Sequence, residues 1–360
     1  MREIGSSFWL LPDDIAGIPR RSLKIPNILN AGESYVSTCR SAIGIALDLI
    51  SSDRKVALLP SFTCESVLAP FIKRGYSIEP YPIGLDLNIQ WEDFKNTMEK
   101  VDPSVILLHP FFGFDTTSDI RQHIQEIRER EIIIIEDMTQ SMFSSFTPLK
   151  ASFHVGSIRK WLPLPDGAFI TAPVRGVEEE DDMLVQAKLD AMIEKGIWIT
   201  SGTGDKSTFR RHYSDAESIL DSREAPYLMS SISRELYFAF DIEKMKELRW
   251  MNYYYLQTKI WNSETLSDAF LPLLPPIDGK VCPFHFPVLV KEKRKDLQRY
   301  LASKDIYATV IWGIPEAFKD RLCDNAQYIY DHIICFHVDQ RYSSEDMERI
   351  VNVLNQYYSN

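Results

Sequence analysis

The chain has 360 residues, 45% of them hydrophobic and 25% charged, with a formal net charge of −11. Length and composition describe a globular chain of about two domains that holds itself together without disulfides, and they exclude wholesale disorder. The excess of 51 acidic over 40 basic side chains argues against a phosphate-backbone binder, and no apolar run is long enough for a signal peptide or a membrane span.

Taken in order, the chain alternates helix-like and strand-like stretches. Residues 37–51 carry apolar side chains at helical spacing behind small polar ones. A short apolar run at 56–59 is stopped by Pro60 and reads as a strand, 67–74 as a helix, 76–81 as a strand and 91–100 as a helix. Residues 105–109 read as an apolar strand stopped by Pro110. The segment 118–130 (SDIRQHIQEIRER) reads as one amphipathic helix with Ser118 as its N-cap. Residues 132–135, four isoleucines, read as a fully buried strand and 168–171 as another. Strands alternating with helices predict βαβ units: an α/β fold with a mostly parallel central sheet covered by helices.

Five consecutive acids at 178–182 read as a solvated loop or helix start, 184–199 as a helix, and 199–213 as a loop. A long Trp- and Tyr-rich helix is expected over 242–263, then a Pro-rich break at 271–280. Two strand-like runs, 284–290 and 333–338, flanked by helices at 293–304 and 343–357, predict a small C-terminal α+β domain. The expected division is 1–240, a connecting helix and segment at 241–280, and 281–360.

The five cysteines (Cys39, Cys64, Cys282, Cys323, Cys335) are odd in number and widely spaced, which fits reduced thiols in a cytoplasmic protein. Cys323, His332, Cys335 and His337 lie close in sequence, and Cys282 stands near His285. No pair has the short spacing of structural zinc, so core packing is expected and no metal.

Three segments compete as sites of chemistry. SGTGDKS at 201–207 is similar to a phosphate-binding loop, but Asp205 interrupts the required Gly-Lys and repels phosphate; a surface loop is the expectation. Glu136-Asp137 ends the isoleucine strand, and ligands of open α/β sheets gather at the carboxyl ends of strands. GSIRKWLPLPDG at 156–167 sets Lys160 behind small residues and ahead of Trp161 and two prolines, then runs into the strand at 168.

Taken together, CRSAIGIAL, LLPSFTCESVLAP, ILLHPFFG, IIIIEDMTQS, GSIRKWLPLPDGAFIT and ICFHVDQRYSSEDMERI, in that order, resemble the DegT/DnrJ/EryC1/StrS family of sugar aminotransferases. That resemblance implies the pyridoxal-phosphate (PLP) transferase fold of type I, with Lys160 as the Schiff-base lysine and proton carrier and Asp137 as partner of the pyridinium nitrogen. By the same resemblance Gln140 lies near the cofactor ring. Arg40 and Ser41 open the helix that receives the phosphate, Ser157 adds a hydroxyl, and Cys64 falls where the family often sets an aromatic residue against the ring. The expected reaction moves an amino group from an amino acid, glutamate first, to a nucleotide-linked keto-sugar in a homodimer. The chain departs from the family in reading Pro-Asp-Gly-Ala at 165–168 instead of Gly-Glu-Gly-Gly, and in lacking an evident phosphate-binding Asn near 226–234. These departures keep two rivals open: a PLP-dependent sugar dehydratase, and a non-catalytic regulatory protein on the same fold.

Overall fold

The computed structural model describes residues 3–16, 32–177, 179–223 and 225–359. Glu178, the first of the five acids, lies outside the described residues. After a short strand β1 (Ile4–Gly5) and turn of helix α1 (Pro12–Ala16), the chain enters its main sheet at β2 (Ser34–Val36). Helix α2 (Cys39–Asp48) follows at once, because the Thr38 side chain caps it by accepting the amide of Ser41 at 3.1 Å. Then come β3 (Val56–Pro60), α3 (Glu65–Lys73), β4 (Ser77–Tyr81), α4 (Trp91–Val101) and β5 (Val105–Leu108).

The stretch expected as one helix is two, α5 (Ser118–Arg121) and α6 (Ile124–Glu129), and its N-cap is Thr117 rather than Ser118. The break falls at Gln122 and His123, where the His123 ring lies flat on Trp91, centroids 3.8 Å apart. Strand β6 (Ile133–Asp137) runs one turn of the pleat further than the isoleucines suggest and takes the acid pair into the sheet. A strand β7 (Phe153–Gly156) precedes a single 3₁₀ turn, Ile158–Lys160, and β8 (Ala168–Ile170) closes the sheet.

The seven strands stand in the order β2-β8-β7-β6-β5-β3-β4. Pairing from β4 through β3, β5 and β6 to β7 is parallel, while β8 is antiparallel to both neighbours. Side chains alternate between two buried faces: Leu58, Ile106 and Ile134 enter one core, Ala57, Leu59, Leu107 and Ile135 the other. That double burial is why these strands read as continuous apolar runs. The topology also places the carboxyl ends of β2, β3, β5, β6 and β7 on one edge.

Beyond the sheet, α7 (Asp182–Ser201) and α8 (Lys206–Ser222) form an antiparallel pair. The segment 201–207 is therefore not a free loop. Gly202, left-handed at φ 68°, ends α7, and Asp205 caps α8 through the amide of Ser207. Helices α9 (Ser231–Ala239), α10 (Ile242–Trp261) and α11 (Glu264–Ala269) lead to β9 (Phe270–Pro272), inside the expected Pro-rich break. With β10 (Phe286–Val290), α12 (Arg294–Ala302), β11 (Ile306–Tyr307), α13 (Asp324–His332), β12 (Ile333–Phe336) and α14 (Ser344–Tyr358), it completes the chain. Strands β12, β10 and β9 form an antiparallel sheet. β1 pairs with β11, tying the chain's start to its C-terminal part. No described helix is long and apolar enough to cross a membrane.

Candidate active site

Four chain segments meet at the carboxyl edge of the main sheet: the start of α2, His109 after β5, Asp137 at the end of β6, and the 3₁₀ turn ending at Lys160. Asp137 is buried, yet its carboxyl is held below its usual range. Burial pushes it up, but the hydrogen bonding of His109 and of Thr139 outweighs that penalty. The Thr139 amide donates to Asp137 Oδ1 at 2.9 Å. His109 donates through Nδ1 to the backbone carbonyl of Asp137 at 2.9 Å, with Oδ2 3.6 Å away. A carbonyl only accepts, so the proton is fixed on Nδ1. The buried Nε2 of the same ring has no partner. The arrangement keeps a buried carboxylate ionised and ready for a cationic partner.

Lys160 is half-buried, and its amine makes no hydrogen bond or ion pair among the described residues. Cys39 is the common neighbour of lysine and acid. Burial pushes its thiol well up and Asp137 adds to this, while Thr139, Lys160 and Arg159 pull the other way. Its Sγ lies 3.9 Å from Asp137 Oδ1. Thr139 joins the two halves of the site. Its hydroxyl accepts the Ser157 amide at 3.1 Å and reaches Cys39 Sγ at 3.6 Å, and its carbonyl accepts the Trp161 indole at 2.7 Å. Behind the lysine, the carbonyl of fully buried Trp161 receives Gln340 Nε2 at 2.8 Å and Arg249 at 3.3 Å, and the Arg249 guanidinium lies over its ring. The Lys160 turn is thus held from β6, α10 and the segment before α14.

The residues expected at the phosphate behave differently from one another. The amides of Cys39 and Arg40, in the first turn of α2, donate to nothing among the described residues, leaving two N–H groups at the positive end of a ten-residue helix. The Arg40 side chain points away, to Asp221 of α8 at 2.7 Å. The Ser41 hydroxyl lies 3.0 Å from that of Thr38. Ser157 is buried, its amide on Thr139. Gln140 uses its carbonyl to accept the Phe112 amide at 2.8 Å, steadying a turn in which Phe112 and Gly113 both have positive φ (54° and 97°). There a Cβ on Gly113 would stand 2.1 Å from the Cys282 carbonyl oxygen. The Gln140 side-chain nitrogen stays without a partner among the described residues. Cys64 caps α3, with Sγ 3.1 Å from the Ser66 hydroxyl, turned towards its own helix.

Pro-Asp-Gly-Ala is a staple. Asp166 accepts the Ser230 amide at 3.0 Å, the Ser230 hydroxyl at 2.6 Å and the Ser233 hydroxyl, while the Gly167 amide donates to Ser37 at 2.7 Å. It therefore fixes the Lys160 segment to α9 and to the approach of α2. His109, Thr139 and Asp166 were not anticipated from the sequence. His109 carried a usable sign, a polar residue directly after an apolar strand, as Asp137 does.

The donor set fits a phosphorylated pyridine aldehyde: an ionised buried carboxylate for a ring nitrogen, an unpaired amine for an aldehyde, and unpaired helix-start amides for a phosphate.

No family model and no curated protein matches the sequence. Solved structures do match in fold. Helicobacter pylori PseC, an aminotransferase involved in the biosynthesis of pseudoaminic acid, is 13% identical with a TM-score of 0.70, over 99% of this chain and 100% of that one. The sugar aminotransferase CalS13 from Micromonospora echinospora is 14% identical with a TM-score of 0.66, over 98% of this chain and 99% of its own. Streptococcus pneumoniae Spr1654 in its PLP form is 12% identical with a TM-score of 0.69, over 99% of both chains. At such identities the likeness establishes the fold, from end to end of the chain.

Proposed function

We propose that the chain is a divergent member of the DegT/DnrJ/EryC1/StrS family, a PLP-dependent aminotransferase that moves an amino group from an amino acid, glutamate first, to a nucleotide-linked keto-sugar. The observation that carries this reading is the meeting, at one sheet edge, of an ionised buried Asp137, a partnerless Lys160 amine and the open amides of α2. The fold shared with an aminotransferase of pseudoaminic acid biosynthesis, with a sugar aminotransferase and with Spr1654 in its PLP form supports it.

Bound PLP supplies an electron sink for the carbanion left when a substrate α-proton departs. The protein's part is to hold and to move protons. Asp137 keeps the ring nitrogen protonated, and His109 and Thr139 keep Asp137 ionised for that task. The Cys39 and Arg40 amides, with the Ser41 and Ser157 hydroxyls, hold the phosphate. The Lys160 amine would hold the cofactor through its aldehyde carbon and, once a substrate amine had displaced it, would serve as the base that takes the proton from the substrate α-carbon. Gln140 offers its free side-chain nitrogen towards the ring. Residues 1–240 form the cofactor-holding part and 281–360 the smaller one, in a homodimer. The five free thiols support a reducing, cytoplasmic setting.

The test is chemical. PLP added to the purified protein is expected to give a visible band that borohydride bleaches, and peptide mapping is expected to find the pyridoxyl group on Lys160. Glutamate added to the unreduced, PLP-loaded protein is expected to release 2-oxoglutarate in a first half-turnover, and Lys160→Ala is expected to abolish both results. A protein that takes up no PLP sinks the proposal. One that binds PLP but releases no oxo acid from any amino donor returns the choice to the dehydratase or the non-catalytic reading.

A further inference from the structure

On the proposed reading the cofactor ring lies beside Asp137 and His109, where the side chains described so far present no open aromatic face. Cys64 is turned to Ser66 and offers no flat surface. Phe62 and Phe111 are fully buried among their neighbours. The aromatic side chain beside His109 that keeps part of its surface open is Trp312, from the loop after β11. Its indole centroid lies 4.9 Å from Phe62, 5.9 Å from His109 and 6.4 Å from Phe111.

The backbone beneath this indole is strained. Ile311 has φ 57°, a left-handed conformation that a β-branched residue adopts only under constraint. The Trp312 amide closes a three-residue turn on the Val310 carbonyl at 2.7 Å. Just before it, Thr309 is pinned to β12 by two hydrogen bonds with Cys335, at 3.1 and 2.7 Å. The Ile311 side chain packs against the apolar cluster that contains Met138, Ile158 and Trp161, the residues flanking Asp137 and Lys160. The loop therefore crosses from the C-terminal sheet to the carboxyl edge of the main sheet, one side chain on the lysine's support and the next beside the acid's partner. Strain kept at such a place marks a group held for binding.

We infer that Trp312 is the aromatic wall of the PLP ring site, taking from the C-terminal part of the chain the role that Cys64 cannot fill. A ring kept protonated by Asp137 is electron-poor and cationic, and an indole face is the side-chain surface that attracts such a ring best. The inference rests on the reading of this site as a PLP site.

The experiment compares the full-length protein with Trp312→Ala and Trp312→Phe, titrated with PLP, following the visible band for affinity and indole emission for proximity. The sequence has seven tryptophans, so the emission is read as the difference between the wild type and Trp312→Phe. In the expected result, PLP quenches the wild-type emission and Trp312→Ala binds PLP roughly tenfold more weakly. Trp312→Phe regains most of the affinity, but the Trp312 share of the quenching is gone. If the wild type binds no PLP, the functional proposal falls and the inference with it. If the wild type binds but both variants bind equally well with quenching unchanged, the inference alone is overturned. It is equally overturned if Trp312→Phe loses as much affinity as Trp312→Ala and both melt lower, because the indole is then only a prop for the loop.

Discussion

Thr139→Val is the sharpest probe of how the acid and the lysine are held together. The change keeps the shape of the side chain and removes one oxygen. In the wild type that oxygen accepts the buried Ser157 amide at 3.1 Å and reaches the Cys39 thiol at 3.6 Å. Without it the Ser157 N–H is left unpaired in a residue that is 2% exposed, a cost of about 1–3 kcal/mol. The sulfur contact is long and adds only a few tenths of a kcal/mol. With an unfolding entropy near 2.1 cal/mol/K per residue, a loss of about 2 kcal/mol lowers the melting temperature of a chain this size by roughly 2–3 °C. The amide and carbonyl of Thr139, which serve Asp137 and Trp161, survive the change. The loss is therefore expected first in the Ser157–Lys160 turn and in PLP uptake, with a smaller upward drift of the Asp137 carboxyl, which also loses the hydroxyl's share of its support. The assay is a thermal melt with and without PLP, run beside Thr139→Ser, which keeps the oxygen and gives up a methyl. Equal melting temperatures and equal PLP uptake in the two variants would refute the linking role.

Two further outcomes follow from the geometry. Arg40→Ala is expected to weaken PLP binding by less than about fivefold, because the exposed pair with Asp221 is worth roughly 0–1 kcal/mol and the helix amides remain; a hundredfold loss in the same titration would mean that the guanidinium swings in to the phosphate. His154 sits 3.2 Å from fully buried Glu136, and although burial disfavours its charge, the hydrogen bond and field of Glu136 raise it above its ordinary 6.5. A raised folded value contributes stability that is full below about 6.5 and is lost as pH climbs through the higher value. The gap in urea midpoint between the wild type and His154→Gln should therefore be widest in mild acid and narrow as pH rises; a gap that widens with pH contradicts the pair.

The buried strands were legible because a sheet covered on both faces leaves no polar residue until the strand stops. That made the ends of β5 and β6 visible, and with them Asp137. Lys160 stood out through its segment, not its own character. What the sequence hides is pairing across strands. His109 and Asp137 are 28 positions apart, and only the parallel register of β5 on β6 brings them together. Thr139 looks like any polar residue of a turn until its oxygen is seen to accept from Ser157. α8 was hidden by the glycines at 202 and 204, which suggested a loop where a helix stop and a helix cap follow each other directly. Arg40 stands in the first turn of α2, but the direction of its side chain depends on α8, which the glycines hide.

The same helix changes what the overall charge means at the phosphate position. Among the cations near the start of α2, three face carboxylates of α8: Arg40 meets Asp221 at 2.7 Å, Arg159 meets Glu217 at 3.9 Å, and Lys188 also holds Glu217. Their fields largely cancel over distances longer than the pairs themselves. The Cys39 and Arg40 amides, oriented by the helix, remain as uncommitted donors among the described residues. A dianion held there is selected by the direction of N–H groups more than by a surplus of positive charge. On the proposed reading, oriented amides would let a chain with a net charge of −11 hold a phosphate.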